Sequence, residues 1–288
     1  MPMSNGWTGG QYSVFRAIFG TYLFVHFVQL VPWGKEIFSC EGVLPDASSS
    51  PLIFLFPNVF ALWDSPPFVS TILIAGAGLS VLFAIGLWDR LAAVLLWYCW
   101  ACLFGRDPLI ANPSLPFVGW MLLAHACLPP APYGSWDAHR CSDLVGSWKM
   151  PRSIFATAWI VMALAYSYSG YTKLVSPSWV DGSAISRILD NPLARPGFLR
   201  ETILSLPTWI LHLVTWGALA LELLFAPLAL IPRLRRWLWT LMLVMHLSLM
   251  LLINFAELSL GMVMLHLFTF DPGWISRIFA DLIPKSTK

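Results

Sequence analysis

The sequence FVSTILIAGAGLSVLFAIGL, residues Phe68–Leu87, holds no charged side chain and no polar side chain larger than a hydroxyl. An α-helix needs about 20 such residues to cross the hydrocarbon core of a bilayer. In lipid, a helix also satisfies its own backbone hydrogen bonds, which an extended segment cannot do alone. This segment therefore predicts a transmembrane helix.

The composition of the whole chain supports a membrane setting. Hydrophobic residues make up 58% of the 288 positions and charged residues only 11%, whereas soluble domains carry about a quarter charged residues. A net charge of +2, with no basic cluster between aromatic residues, argues against nucleic acid as a partner. The lipid bilayer is the expected surrounding of this chain.

Further apolar segments lie on both sides of Phe68–Leu87, and together they predict an all-α transmembrane bundle of about eight spans. Four of the others are also long: Val14–Trp33, Ile154–Tyr171, Trp209–Ile231 and Trp237–Phe255. Three are shorter, as re-entrant or buried segments often are: Leu91–Gly105, Leu115–Leu128 and Leu258–Phe270. Because no internal repeat or soluble domain is visible, we expect a single domain over residues 1–288.

The positions of Lys and Arg predict an orientation. With eight spans and a cytoplasmic N-terminus, most cations lie on the inner side, including Arg233, Arg235 and Arg236. The positive-inside rule favours this arrangement. We therefore expect a multi-pass protein of the bacterial cytoplasmic membrane with both termini in the cytoplasm.

Two segments on the expected outer side are long. The apolar patch Leu52–Trp63 contains Pro57 and is too short to span, so it predicts an interfacial helix lying on the membrane. The second segment runs from Leu174 to Pro207 and includes a predicted amphipathic helix, Ser183–Leu189. Both segments are candidates for contact with a substrate or a partner outside the cell.

Ionisable side chains inside apolar spans are costly and are therefore the first functional candidates. Lys173 ends a polar, aromatic run at the outer end of the fifth span. A partly buried lysine loses solvation of its charged form and could act as a general base. Alternatively, its ammonium reaches the headgroups as a snorkelling side chain.

Glu222 lies in the middle of the sixth span, five residues before Pro227, where the helix is expected to kink. Three roles are open to its carboxylate. It could pair with a buried cation, relay protons or anchor a substrate.

Histidine and cysteine raise two further alternatives. His26, His125, His212, His246 and His266 lie in apolar spans, where histidine can ligate haem or a metal, or can hydrogen-bond between helices. Because neither H-x-x-x-H nor H-E-x-x-H occurs, no metal site is predicted. Cys99 and Cys102 share a helix face, either as a redox pair or as buried apolar thiols.

One ordered set of residues resembles a known family. Gly170, Lys173 and Leu174, followed by Trp179 and Gly182, resemble the signature of the HTTM proteins, the horizontally transferred transmembrane domain. This domain is the membrane part of vitamin K-dependent gamma-carboxylase. Further stretches fit in the same order, namely Gly86–Arg90, Gly105–Pro108 with Asn112, Glu222 before Pro227, and His246 before Asn254.

The resemblance implies a chemistry and a set of site residues. In the carboxylase, the lysine of this motif deprotonates vitamin K hydroquinone, oxygen then adds, and the strong base that forms removes a proton from a glutamate side chain. It thus implies reduced vitamin K (menaquinol) with oxygen and carbon dioxide as cofactors, and a secreted peptide as substrate. The implied catalytic residues are Lys173, Glu222 and His246. The implied substrate- or quinone-binding residues are Tyr171, Trp179, Asp181, Gly182, Arg106 and Asn112.

Three functions remain open at the level of sequence. The first is a quinol-dependent carboxylase or oxygenase with Lys173 as general base at the outer membrane face. The second is a non-catalytic accessory protein for maturation or export of a secreted peptide. The third is a membrane redox carrier that uses Cys99 and Cys102.

One residue departs from the family pattern. The carboxylase has a histidine directly after the asparagine that matches Asn112, whereas this chain has Pro113.

Overall fold

The computed structural model describes residues 6–130, 132–140 and 148–274, and in this part the chain is all-α. It divides into two compact units. The first extends to Ile154, and the second begins at Phe155, in the first turn of a long helix. Each unit has its own buried apolar side chains.

The described residues of the first unit form five α-helices: α1 (Gly9–Leu30), α2 (Gly34–Phe38), α3 (Pro66–Ile85), α4 (Asp89–Arg106) and α5 (Leu115–Ala126). Thr8 begins α1 with a capping box, in which its side chain and that of Gln11 satisfy each other's backbone N–H groups. Gly20 lets α1 and α3 approach closely, because a Cβ there would lie 2.6 Å from the Cβ of Ala84.

The predicted interfacial helix at Leu52–Trp63 is wrong. The segment consists of turns followed by one short 3₁₀ helix, Val59–Ala61. Pro57 has no N–H with which to continue a helix, and the Asn58 side chain turns the backbone by accepting a hydrogen bond from Phe60 N. Phe54, Leu55, Leu62 and Trp63 nevertheless remain exposed.

The end of α4 explains the shape of this outer segment. The last carbonyls of a helix have no partner within the helix. Here Ser50 Oγ donates to Gly105 O at 2.6 Å and Asn58 Nδ2 donates to Cys102 O at 3.0 Å. The segment therefore folds around the C-terminus of α4. Its polar side chains bond to the carbonyls of α4, and the segment does not form an α-helix.

A buried polar network holds the middle of the first unit. Arg16 Nη1 and His125 Nε2 both approach Asp89 Oδ2, at 3.3 and 3.4 Å, and Tyr12 Oη lies 2.6 Å from His125 Nδ1. A buried charge is tolerated when it is paired in this way. Helix α4, which corresponds to the short predicted segment Leu91–Gly105, carries Cys99 and Cys102, and both are buried free thiols.

Up to residue 274, where the described part ends, the second unit forms eight α-helices: α6 (Arg152–Lys173), α7 (Pro177–Val180), α8 (Ala184–Asp190), α9 (Phe198–Leu204), α10 (Thr208–Leu223), α11 (Phe225–Ala229), α12 (Arg235–Leu252) and α13 (Ala256–Thr269). The predicted amphipathic helix Ser183–Leu189 is confirmed as α8. Leu193 O accepts from Asn254 N at 2.7 Å and Arg195 N donates to Leu252 O at 2.8 Å, which fixes the segment after α8 to the end of α12.

All eight predicted apolar segments contain α-helix, but fewer are clear membrane spans. Within the described residues, Gly9–Phe38, Pro66–Ile85 and Arg152–Lys173 are long and apolar enough to cross a bilayer. A fourth span is present if α9 and α10, which are bent by 104° at their junction, count as one. The structure thus has three or four candidate spans, and eight remains a prediction.

Candidate functional site

Lys173 and Glu222 form an ion pair between the end of α6 and the end of α10. Lys173 Nζ donates to Glu222 Oε2, and the ammonium also lies 4.5 Å from the ring centroid of Trp179. The Glu222 side chain is only 6% exposed and that of Lys173 is 23% exposed. An unpaired carboxylate at this depth would be strongly unfavourable. The Lys173 ammonium thus contacts protein groups, in contrast to a side chain that extends freely towards the headgroups.

A break in the sixth predicted span sets the position of Glu222. Pro227 has no N–H and its ring would clash with the carbonyl of Leu223 in a continuous helix. Accordingly α10 ends at Leu223 and α11 begins at Phe225. The kink expected near Pro227 is confirmed, and it leaves Glu222 in the last turn before the break.

Ser167 on α6 supplies the hydrogen bonds that the break removes. Its Oγ accepts from Ala226 N at 2.9 Å and lies 3.1 Å from Leu223 O and 3.3 Å from Glu222 O, to which its hydroxyl can donate. In an unbroken helix Ala226 N would bond to Glu222 O. Ser167 therefore ties the broken segment to α6 one turn and a half before Lys173.

The two glycines of the Lys173 motif permit close packing. A Cβ at Gly170 would lie 2.4 Å from Leu223 N, so α6 and the helix break could not approach as they do. Gly182 has φ +86°, and a Cβ there would lie 3.0 Å from the Cβ of His212. Trp216 Nε1 donates to Val180 O at 3.0 Å, which holds the same segment against α10.

We expect replacement of Ser167 by alanine to lower the free energy of unfolding by about 1–2 kcal/mol, because it leaves Ala226 N and Leu223 O without their partner. Denaturant titration of the purified protein in micelles measures this loss. Ser248→Ala is the matched control, since the exposed Ser248 hydroxyl donates to Val244 O of its own helix, α12. Equal stability of the two variants would contradict the role given to Ser167.

Trp179 contacts Lys173 of the ion pair and also lines a cleft. The cleft has a volume of about 350 Å³ and is lined mainly by Trp179, Arg187, Ile188, Asn191, Leu193 and Ile253. Next to it, exposed Asp181 accepts a hydrogen bond from Ser183 N at 2.8 Å. Hydrogen bonds from the Ser183 side chain and backbone hold the pKa of the Asp181 carboxyl below its ordinary value. Lys173, Trp179, Asp181 and Gly182 thus belong to one neighbourhood.

His246 lies in the same unit and is hydrogen-bonded between helices. Tyr166 Oη on α6 is 2.8 Å from His246 Nε2 on α12. His266 Nδ1 donates to Met262 O at 3.0 Å, and its ring lies 5.9 Å from that of His246. Tyr166 interacts electrostatically with Glu222, and His246 with Lys173. The structure therefore brings His246 near the ion pair through Tyr166.

Other predicted site residues have different surroundings. Tyr171 is 63% exposed. Arg106 and Asn112 belong to the first unit. There, Arg106 Nη2 pairs with Asp64 at 3.0 Å and bonds to Leu44 O at 2.7 Å, while Asn112 Oδ1 accepts from the Ser114 hydroxyl at 2.6 Å. These contacts hold the outer segment and a turn, and a role in substrate binding stays a prediction.

Sequence reasoning did not identify Ser167, Arg187 or the Arg16–Asp89 pair. A hydroxyl inside an apolar helix with a proline in a neighbouring span was a usable signal for Ser167. Arg16 and Asp89 are charges within or beside apolar segments, which is itself a signal of pairing. Arg187 carried no signal, because its place beside Trp179 depends on the turn at Gly182.

No curated protein and no solved structure matches the chain. The family described as the HTTM domain matches residues 9–274, a range that includes both units and every residue of the site. HTTM is the domain shared with vitamin K-dependent gamma-carboxylase. Together with the apolar helices, this match shows that the chain is a membrane protein of the HTTM domain family.

Proposed function

We propose that this protein is a membrane enzyme in which Lys173 and Glu222 move a proton from a lipid-soluble substrate. The observation that carries the proposal is the buried Lys173–Glu222 pair, with Trp179 in contact with Lys173 and also part of the lining of a cleft. A buried ion pair next to a cleft is a candidate active site, because ionisable residues in the apolar segments of a membrane protein are functional candidates. The family resemblance suggests a reaction of the quinol-dependent carboxylase or oxygenase type.

The pair can hold its proton in two places. As an ion pair, Lys173 is an ammonium and cannot accept a proton. When the proton passes from Lys173 Nζ to Glu222 Oε2, the pair becomes a neutral amine and a carboxylic acid. The Lys173 amine then accepts a proton from a substrate hydroxyl, while Glu222 keeps the first one. Glu222 is thus the proton store and Lys173 the base.

The residues fit a quinol. Its flat ring suits an aromatic surface such as Trp179, and the cleft of about 350 Å³ lies at the lower end of the range for small-molecule sites, roughly 300–1,000 Å³. Ile188, Leu193 and Ile253 give the cleft an apolar lining that suits a prenylated chain. A bound quinol would supply an acidic hydroxyl and reducing electrons. Lys173 and Glu222 would supply the proton transfer, and Trp179 would shield the ammonium from water.

The orientation follows from the charge distribution. With both termini in the cytoplasm, Lys173 and α7–α9 lie at the outer face, where a secreted peptide, oxygen and carbon dioxide are accessible. His246, which is hydrogen-bonded to Tyr166, would influence the electrostatic environment of the Lys173–Glu222 pair through that side chain.

Lipids that co-purify with the protein test this proposal. We expect an organic extract of the purified wild-type protein to contain a naphthoquinone in near-stoichiometric amount, measured by mass spectrometry. Trp179→Ala should lose most of it, because stacking on the ring contributes to binding. Trp237→Ala is the control, since the exposed Trp237 lies on α12, outside the cleft lining. An extract free of quinone in all three samples would contradict the choice of a quinol.

A second function, an accessory protein for a secreted peptide, is favoured by one observation. Phe54, Leu55, Leu62 and Trp63 are 61–78% exposed in the first unit. If the accessory function is right, Leu55→Ser with Leu62→Ser should abolish maturation of the peptide while Lys173→Arg is tolerated. The enzyme proposal expects the reverse order of effects.

A further inference from the structure

We propose that the cleft beside Trp179 binds an amphiphile through a negatively charged group held by Arg187. The inference rests on the proposed function, because it concerns the same site and requires that the substrate carry an anionic group in addition to the hydroxyl that Lys173 would deprotonate. From the apolar lining alone, the ligand could be described only as lipid-soluble. The inference is that it also carries a negative charge. The argument comes from the donors at the edge of the cleft.

Arg187 is oriented by the protein. Its Nε donates at 3.0 Å to the Oγ of Ser183, the N-cap residue of α8. This bond fixes the plane of the guanidinium and leaves the two Nη groups to recognise a ligand. A guanidinium presents parallel N–H donors that match the two oxygens of a carboxylate or a phosphate.

Asn191 contributes donors of the same kind. Its Oδ1 accepts from Leu193 N at 2.9 Å, so the acceptor end of the amide is occupied and the NH₂ end is available to the cleft. None of the described residues that line the cleft is acidic. Asp190, the nearest carboxylate in sequence, lies 3.7 Å from Arg200 Nη2, and Asp181 accepts a hydrogen bond from Ser183 N. The polar edge therefore offers hydrogen-bond donors and a positive charge, which select an acceptor-rich anion.

The remaining lining selects an apolar body. Trp179, Ile188, Leu193 and Ile253 supply it. The wall at Leu193 is rigid, because a backbone bridge joins Ala194 to Ile253 and Arg195 Nε donates to Ile253 O at 3.2 Å. A molecule with an anionic end at Arg187 and an apolar chain along this wall satisfies both parts of the cleft.

Photolabelling with a diazirine-bearing palmitate tests the proposal, using the wild-type protein in phosphatidylcholine nanodiscs. We expect the label in peptides that cover residues 178–193. Excess palmitate should compete and excess hexadecanol, its uncharged counterpart, should not. Arg187→Gln should reduce labelling about tenfold or more, as loss of a charge-assisted hydrogen bond does. Equal competition by the two compounds would overturn the proposal.

Matched variants complete the test. Arg233→Gln removes an exposed arginine outside the cleft and should label like the wild type. Asn191→Asp adds a repelling charge and should weaken labelling even if Arg187→Gln folds poorly; unchanged labelling in Asn191→Asp would also overturn the proposal. Competition by phosphatidylglycerol would identify the anion as a lipid headgroup, whereas competition by palmitate alone would identify a free carboxylate.

The result can be separated from that of the proposed function. Lys173→Arg keeps the charge next to Trp179, so it should leave labelling intact even though the proposed function requires it to abolish turnover. Loss of labelling in Arg187→Gln therefore reports on the cleft alone. Labelling that is insensitive to Arg187, in a protein whose turnover depends on Lys173, would overturn the anionic ligand and leave the acid–base pair standing.

Discussion

Replacing Lys173 alone by methionine should lower the free energy of unfolding by about 2–4 kcal/mol, because it leaves the Glu222 carboxylate buried without a partner. The Glu222 side chain is 6% exposed, so water can replace little of what the ammonium provides. The lower end of the range is expected, since Lys173 is itself partly exposed and the pair is not fully dry. Denaturant titration in micelles measures the change.

The double variant Lys173→Met with Glu222→Gln separates pairing from packing. With both charges removed, the stability should recover to within about 1 kcal/mol of the wild type, because a neutral pair has no unpaired charge to bury. Lys35→Met with Glu41→Gln removes an exposed pair for comparison and should change stability by less than about 1 kcal/mol. A double Lys173/Glu222 variant no more stable than the single variant would contradict the pairing.

Replacing Gly170 by alanine should lower the free energy of unfolding by about 2–3 kcal/mol, through overpacking against backbone that cannot rotate away. The added Cβ would lie 2.4 Å from Leu223 N and 2.7 Å from Leu223 Cα. To accept it, α6 must move away from the helix break. The same movement would weaken the bonds of Ser167 and separate Lys173 from Glu222.

Gly217→Ala is the matched control for Gly170. Gly217 lies on α10, and a Cβ there would meet nothing within 4 Å. Alanine is a better helix former than glycine, so this variant should be neutral or more stable by up to about 1 kcal/mol. Thermal unfolding in micelles compares the two. If Gly170→Ala is as stable as Gly217→Ala, then the close approach of α6 to α10 is incorrect.

Local sequence features predicted the long apolar helices correctly. They failed where the local fold depends on contacts with another helix. The apolar composition of Phe68–Leu87 is enough to specify α3, because a helix satisfies its own backbone. The apolar patch Leu52–Trp63 looks equally suited to a helix, yet it forms turns. Its fold depends on Asn58 and Ser50 reaching the carbonyls of α4, and the sequence around the patch does not contain that information.

The same distinction applies to the site. Lys173 and Glu222 could each be chosen because an ionisable residue in an apolar segment is unusual. That they pair could not be derived, because they are far apart in sequence and their contact depends on the helix break between Leu223 and Phe225. Arg106 is the opposite case. Its charge made it a candidate for substrate binding, but in the structure its guanidinium pairs with Asp64 and bonds to the outer segment. Arg187 could not be chosen from the sequence, because its place beside Trp179 depends on the turn at Gly182.

The central claim is that Lys173 works as a base, and Lys173→Arg tests it most directly. Arginine keeps the positive charge for Glu222 but cannot deprotonate. The measurement is oxygen-dependent consumption of a reduced naphthoquinone by the purified protein in nanodiscs. We predict that Lys173→Arg retains near-native stability and loses about 100-fold or more in rate, while Lys35→Arg matches the wild type. Consumption by Lys173→Arg at the wild-type rate would contradict the claim.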